Sequence, residues 1–335
     1  MTSVVSGDGP LLRREVDGVA WHVARAAMFG VTEPARRLQV FWTLDGSAEQ
    51  AADAFWLSIL TFENGMQKAG RPLAERDIHA RTMKERRDGI SGRDELAQIL
   101  RTFRDGLGDE LLHVHVRWDR VSADLMLRDP DPGVWVAQWF MGRNQDTSLI
   151  DAVGTAGTEV LARLAAEGVA DWGCVTHDHG GGINRTPYEH YFSIREAEGA
   201  RLASRHPRGY YWSNLLTGRH LEGLGGPAEA LAACHDAGLV SELIESASGS
   251  PAMIVRARES LSVFTDESLA AIRGLLDPIL LHRPYYWYAD WPLRVIKEPG
   301  TAFRAIDPTI LARQPVFDDD EPEPDEPEPD EDDRR

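Results

Sequence analysis

Residues 111–141 constrain the fold more than any other stretch of the chain. Leu112, Val114, Val116 and Trp118 alternate with His113, His115 and Arg117, and a short Asp119-Arg120 turn follows. Val121, Ala123, Leu125 and Leu127 repeat the alternation. Asp129-Pro130-Asp131-Pro132-Gly133 makes a second break, and Val134–Met141 is a third apolar run. A period of two sends successive side chains to opposite faces, and Pro, Gly and Asp in the breaks turn the chain. The stretch predicts a three-stranded antiparallel meander with one buried face, which the rest of the chain must cover.

The flanking sequence supplies the cover. Leu38, Val40, Trp42 and Leu44 alternate as a further strand. Ser47 with Gln50 reads as a capping box, opening a helix with Ala52, Phe55, Trp56, Ile59, Phe62 and Met66 on one stripe and Gly70 past its end. Residues 71–93, with seven bases against four acids, read as an irregular or weakly helical surface segment. Helices are expected at about 94–107 and 147–167, the second stopped by Gly168, and a buried strand at Trp172–Thr176. His177–Arg185 is glycine-rich and reads as a loop, and Thr186-Pro187-Tyr188-Glu189 as a helix start. Further on, Gly209–Trp212, Ala252–Ala257 and Leu261–Phe264 read as short strands. Thr217 caps a short helix that ends at Gly225-Gly226, and Pro227–Ala237 is another helix. Thr265 caps a last one, whose stripe is Leu269, Ile272, Leu275, Leu276 and Ile279. The expected class is α+β, a mixed and largely antiparallel sheet with meander strands packed against several helices. Residues 1–317 form one globular region, with any subdivision falling near 168–186.

Charge separates the ends of the chain. The 335 residues carry a formal charge of -18, yet residues 318–335 alone hold twelve acids and two arginines. That segment has almost no apolar surface to bury and is expected to be a disordered tail. The body is only mildly acidic, which still opposes binding to a nucleic-acid backbone. No run approaches the roughly twenty apolar residues of a membrane span. The N-terminus lacks the basic-then-apolar order of a signal peptide, and two cysteines do not make a disulfide framework. The expected location is the cytoplasm. No membrane or nucleic-acid partner is expected, and the oligomeric state stays open.

Candidate chemistry is sparse. His177, Asp178 and His179 sit beside three glycines, and His113 and His115 share a strand face. Four imidazoles could ligate zinc if the two segments met in space. Neither segment carries an HExxH pattern, so no metal site is favoured. Cys174 lies inside an apolar strand and Cys234 on an alanine-rich helix, which suits small core residues better than nucleophiles. The serine-hydrolase elbow, the phosphate-binding loop and the dinucleotide fingerprint are absent from the sequence, so no catalytic residue and no cofactor is assigned. Tyr285–Trp291 is rich in aromatics and reads as core more readily than as an interface.

The most specific stretch runs from Arg208 through Gly209, Tyr210, Tyr211, Trp212, Ser213 and Asn214 to Thr217, then His220 to Leu224, Gly225 and Gly226. It resembles the glycine–aromatic–tryptophan segment ending in Leu-Gly-Gly of polymorphic-toxin immunity proteins, in particular the immunity protein 52 group and related type VI secretion immunity proteins. The resemblance covers about 186–281. Its motif residues Gly209, Trp212, Asn214, Leu224, Gly225 and Gly226 are structural rather than catalytic. It implies a cytoplasmic α+β protein that is not an enzyme and that neutralises a cognate toxin domain, which could be basic, by stoichiometric binding. Two other readings stay open: a metal-dependent enzyme built on the His177-Asp178-His179 loop with help from His113 or His115, and a structural or regulatory protein whose acidic tail recruits a basic partner.

Overall fold

A helix cap sets the first crossover. In the computed structural model, Ser47 Oγ accepts from Gln50 N (3.2 Å) while Gln50 Oε1 accepts from Ser47 N (2.8 Å), the reciprocal capping box. The structure describes residues 36–281, with breaks at 83, 107–111, 120, 130–132, 142–145, 180–185, 187, 190–193, 195 and 265. In chain order the elements are β1 (Arg36–Asp45), α1 (Ala48–Lys68), β2 (Asp77–Arg81), β3 (Arg86–Asp88), α2 (Arg93–Gly106), β4 (His113–Arg117), β5 (Val121–Asp129) and β6 (Val134–Met141). There follow α3 (Thr147–Glu167), β7 (Trp172–His179), α4 (Glu196–Leu202), β8 (Ser213–Leu216), α5 (Gly218–Gly223), α6 (Pro227–Asp236), β9 (Val240–Glu245), β10 (Pro251–Arg256) and α7 (Asp266–Leu276).

The described strands form a single ten-stranded sheet in the order β3-β2-β4-β5-β6-β1-β7-β8-β10-β9. Every described pairing is antiparallel. The fold is α+β, as the strand patterning requires. The meander β4-β5-β6 stands as read, and β1 lies between β6 and β7 at the middle of the sheet.

One face of the sheet carries the main core. Leu38, Val40, Trp42 and Leu44 of β1 are buried there with Ala123 and Leu125 of β5 and Trp135, Ala137 and Trp139 of β6. Helices α1 and α3 pack on each other, with α2 against α1. Trp139 meets Phe55 and Phe62 of α1 at ring-centre distances of 5.6 and 6.3 Å. Glycine permits the tightest approaches. A Cβ on Gly157 of α3 would strike Val40 and Val175, and one on Gly173 of β7 would strike Leu161 and the Phe41 carbonyl. The opposite face is partly covered by α4, which lies over β5, β6 and β1, where Ala200 packs on Val134 and Val136.

Several elements differ from the sequence expectations. Residues 71–93 are not irregular throughout: β2 and β3 extend the meander at its edge. Ile78 and Ala80 are the inward pair of β2, and its Asp, His and Arg face outward, so the alternation is real but only two apolar residues long. His177, Asp178 and His179 belong to β7 rather than to a loop, paired with Leu38, Arg37 and Arg36 of β1. Gly209–Trp212 is not a strand, because Gly209 has φ +133° and the Asn214 side chain brackets the peptide groups of Tyr211. Leu261–Val263 is a 3-10 turn, pinned by Asp151 of α3, which accepts from Ser260 Oγ, Ser262 N and Ser262 Oγ. The edge strand β9, with little burial to signal it, is an addition. Thr265, the aromatic run 285–291 and the acidic segment 318–335 lie outside the described residues.

Candidate functional site

The resemblance segment folds into a buried polar anchor. Thr186 N donates to Glu189 Oε2 (2.9 Å) and Glu189 N to Thr186 Oγ1 (3.2 Å), the pattern of a helix start. Glu189 then accepts two bonds from Arg208, at 2.6 Å from Nε and 2.9 Å from Nη2. Arg208 Nη1 donates to Thr43 Oγ1 of the central strand (3.0 Å), and the guanidinium lies 5.8 Å from the Trp172 ring centre. Both charged side chains are essentially inaccessible to water. Burial would lower the Arg208 pKa, but the Glu189 carboxylate outweighs it and holds the pKa above its ordinary value. Gly199 lets α4 lie directly on the Glu189 carboxylate, since a Cβ there would overlap it.

The rest of the motif continues this anchoring. Asn214 Oδ1 accepts from Tyr211 N (3.0 Å) and Asn214 Nδ2 donates to the Tyr211 carbonyl (2.7 Å). Gly209 leaves room for the Tyr211 and Tyr188 side chains, which a Cβ would strike. Trp212 is buried, and Leu224, Gly225 and Gly226 end α5 with both glycines at positive φ. His220 takes the place of the usual Glu or Gln in a capping box with Thr217, its Nδ1 accepting from Thr217 N at 3.1 Å. Burial depresses its pKa to about 4, so it is neutral at pH 7.

The candidate histidines of β4 and β7 do not come together. His113 and His115 lie on the same face of β4, as alternation requires, and meet Asp124 of β5. His113 Nε2–H donates to Asp124 Oδ1 at 2.5 Å and His115 Nδ1–H to the same oxygen at 2.7 Å. Burial alone would raise the Asp124 carboxyl, yet these two bonds hold it below its usual value. His79 of β2 sits beside His115, ring centres 5.1 Å apart, and Arg81 Nε donates to His113 Nδ1 at 3.1 Å. His177 lies apart from this cluster. It lies on β7, four strands from β4, a lateral distance of roughly 19 Å at about 4.8 Å per strand. Its register with Leu38 puts it on the helix-covered face, opposite to His113 and His115. The four-imidazole arrangement is therefore not assembled. Asp124 and His79 are absent from the sequence candidates. Asp124 was legible in principle, because a hairpin that pairs Trp118 with Val121 places residue 124 across from 115.

Cys174 and Cys234 are both buried free thiols. Burial raises Cys174 well above the ordinary thiol value and Cys234 to about 11, which suits core residues. Among the described residues no helix is long and apolar enough to cross a membrane.

No family model and no curated protein matches the sequence. Among solved structures, the chain is similar to the one described as Pseudomonas aeruginosa T6SS protein PA0821. The two share 12% identical residues over 77% of this chain and 83% of that one, with a TM-score of 0.46.

Proposed function

We propose that this protein is a stoichiometric binding protein of the immunity type, which neutralises a cognate toxin domain by occupying it rather than by catalysis. The observation that carries the reading is the segment 208–226. Its residues resemble the immunity-protein motif, and they act as scaffold: Arg208 is bonded to Glu189 and Thr43, and Asn214 and His220 bond nearby backbone. A motif spent on holding the chain fits a protein whose work is done by the surface it shapes. The mildly acidic body adds electrostatic complementarity toward a basic toxin domain and speeds encounter with it. Cytoplasmic action follows from this reading.

Co-expression tests it. Cells that produce the toxin domain encoded beside this gene should survive when this chain is present, and the two proteins should co-elute as a complex of fixed stoichiometry. Unchanged killing by every neighbouring toxin domain, with no co-eluting partner, overturns the reading.

A further inference from the structure

The cluster on β2, β4 and β5, on the sheet face opposite to the main core, has a chemistry that the binding role does not use. Two imidazoles and a carboxylate converge from adjacent strands, and one nitrogen or oxygen of each of His113, His115 and Asp124 lies within 4.8 Å of the other two. His113 and Asp124 are buried and His115 is a quarter exposed, so the group is sheltered but reachable. Beside it His79 Nδ1 is enclosed away from water with no hydrogen-bond partner. An enclosed polar nitrogen without a partner is rare in folded proteins because its lost hydration goes uncompensated, so it calls for an explanation.

We propose that His113, His115 and Asp124 bind one divalent transition-metal ion of the zinc class, with His79 as the imidazole next to the fourth position. Two imidazoles on one tetrahedral ion place their ring centres about 5 Å apart, given metal–nitrogen bonds of about 2.0–2.1 Å. The two ligand imidazoles, His113 and His115, stand 6.0 Å apart, about 1 Å wider than this, and the His79 ring lies 5.1 Å from that of His115. Ligand atoms around such an ion stand about 3.4 Å apart, so the carboxylate draws back from the two imidazoles by less than about 1 Å on binding.

Arg81 sets the affinity of this site. Its Nε–H donates to His113 Nδ1, which keeps the imidazole proton on Nε2, pointing at Asp124. Coordination through Nε2 moves that proton to Nδ1, where it would face the Arg81 donor. Arg81 lies at the exposed end of β2 and must turn away before the ion is held. The site is thus held in a hydrogen-bonded form that competes with the metal.

The test uses the full chain, stripped with a chelator, dialysed and titrated with zinc alone by calorimetry. Cobalt(II) absorption serves as an independent report on the ligand set. Expected are one ion per chain, a weakening of about tenfold or more in Asp124→Asn, and a several-fold tightening in Arg81→Met. Circular dichroism checks the fold of each variant, and His115→Gln, at the more exposed ligand, replaces Asp124→Asn if the latter does not fold. Absence of saturable one-per-chain binding overturns the proposal. So does an affinity that is the same in wild type, Asp124→Asn and Arg81→Met, which would put the ion on other carboxylates such as those of 318–335. The outcome is independent of toxin neutralisation, which needs no metal.

Discussion

Arg208 and His220 show how single residues in the anchor govern stability. The Glu189–Arg208 pair is enclosed on all sides, so removing one partner strands the other charge. Arg208→Met is expected to lower unfolding free energy by about 3–5 kcal/mol, measured by denaturant titration. Glu189→Met with Arg208→Met together should lose less than either alone, because the replaced pair leaves no buried charge. His220 responds to pH instead. Its folded pKa is about 4 against an ordinary 6.5, so below pH 6.5 the unfolded chain takes up a proton that the folded chain refuses. Stability from this group is complete above pH 6.5 and is lost as pH falls toward 4, by up to about 3 kcal/mol. His220→Gln keeps a capping-box acceptor for Thr217 N, and the loss between pH 7 and pH 4 should shrink by a comparable amount.

Among the elements, the contact of α3 with the sheet at β1 and β7 is a close fit. Gly173→Val places a residue that strands favour where Leu161 and the Phe41 carbonyl leave no room. It should destabilise by about 1–3 kcal/mol in spite of the better strand propensity, read as a lower denaturation midpoint. Elements with a long apolar pattern were legible from sequence: β1, α1, the β4-β5-β6 meander, and α3 with its Gly168 stop all follow from periodicity and caps. Strands β2, β3 and β9 were not. Each lies at or next to an edge of the sheet, buries few side chains, and forms because the neighbouring strand offers unpaired peptide groups. The site divides in the same way. Alternation put His113 and His115 on one face, but their partner Asp124 depends on hairpin register, and His79 lies in a strand hidden among arginines. His177–His179 read as a loop because of the glycines after it, whereas pairing with β1 carries the strand through His179.

At the scale of the whole molecule, one sheet connects residues 36 to 256, and the anchor at 186–226 bolts to its middle through Thr43. If the surface shaped by this body is what a toxin domain meets, deletion of 318–335 should leave binding intact, with at most a slower association at low salt. Pull-down and association kinetics of the truncated chain measure this, and loss of all binding would assign recruitment to the acidic segment instead. The position of β1 has a further consequence, for synthesis rather than for the finished fold. It is the first described strand to be made, yet its two neighbours, β6 and β7, begin at residues 134 and 172. The apolar face of Leu38, Val40, Trp42 and Leu44 must therefore wait on the ribosome for roughly ten seconds at about 10 residues per second before its first partner strand emerges. Contacts this distant in sequence close slowly. Over that interval the nascent chain exposes an unpaired, apolar strand, and it is then that the protein depends most on whatever shields it.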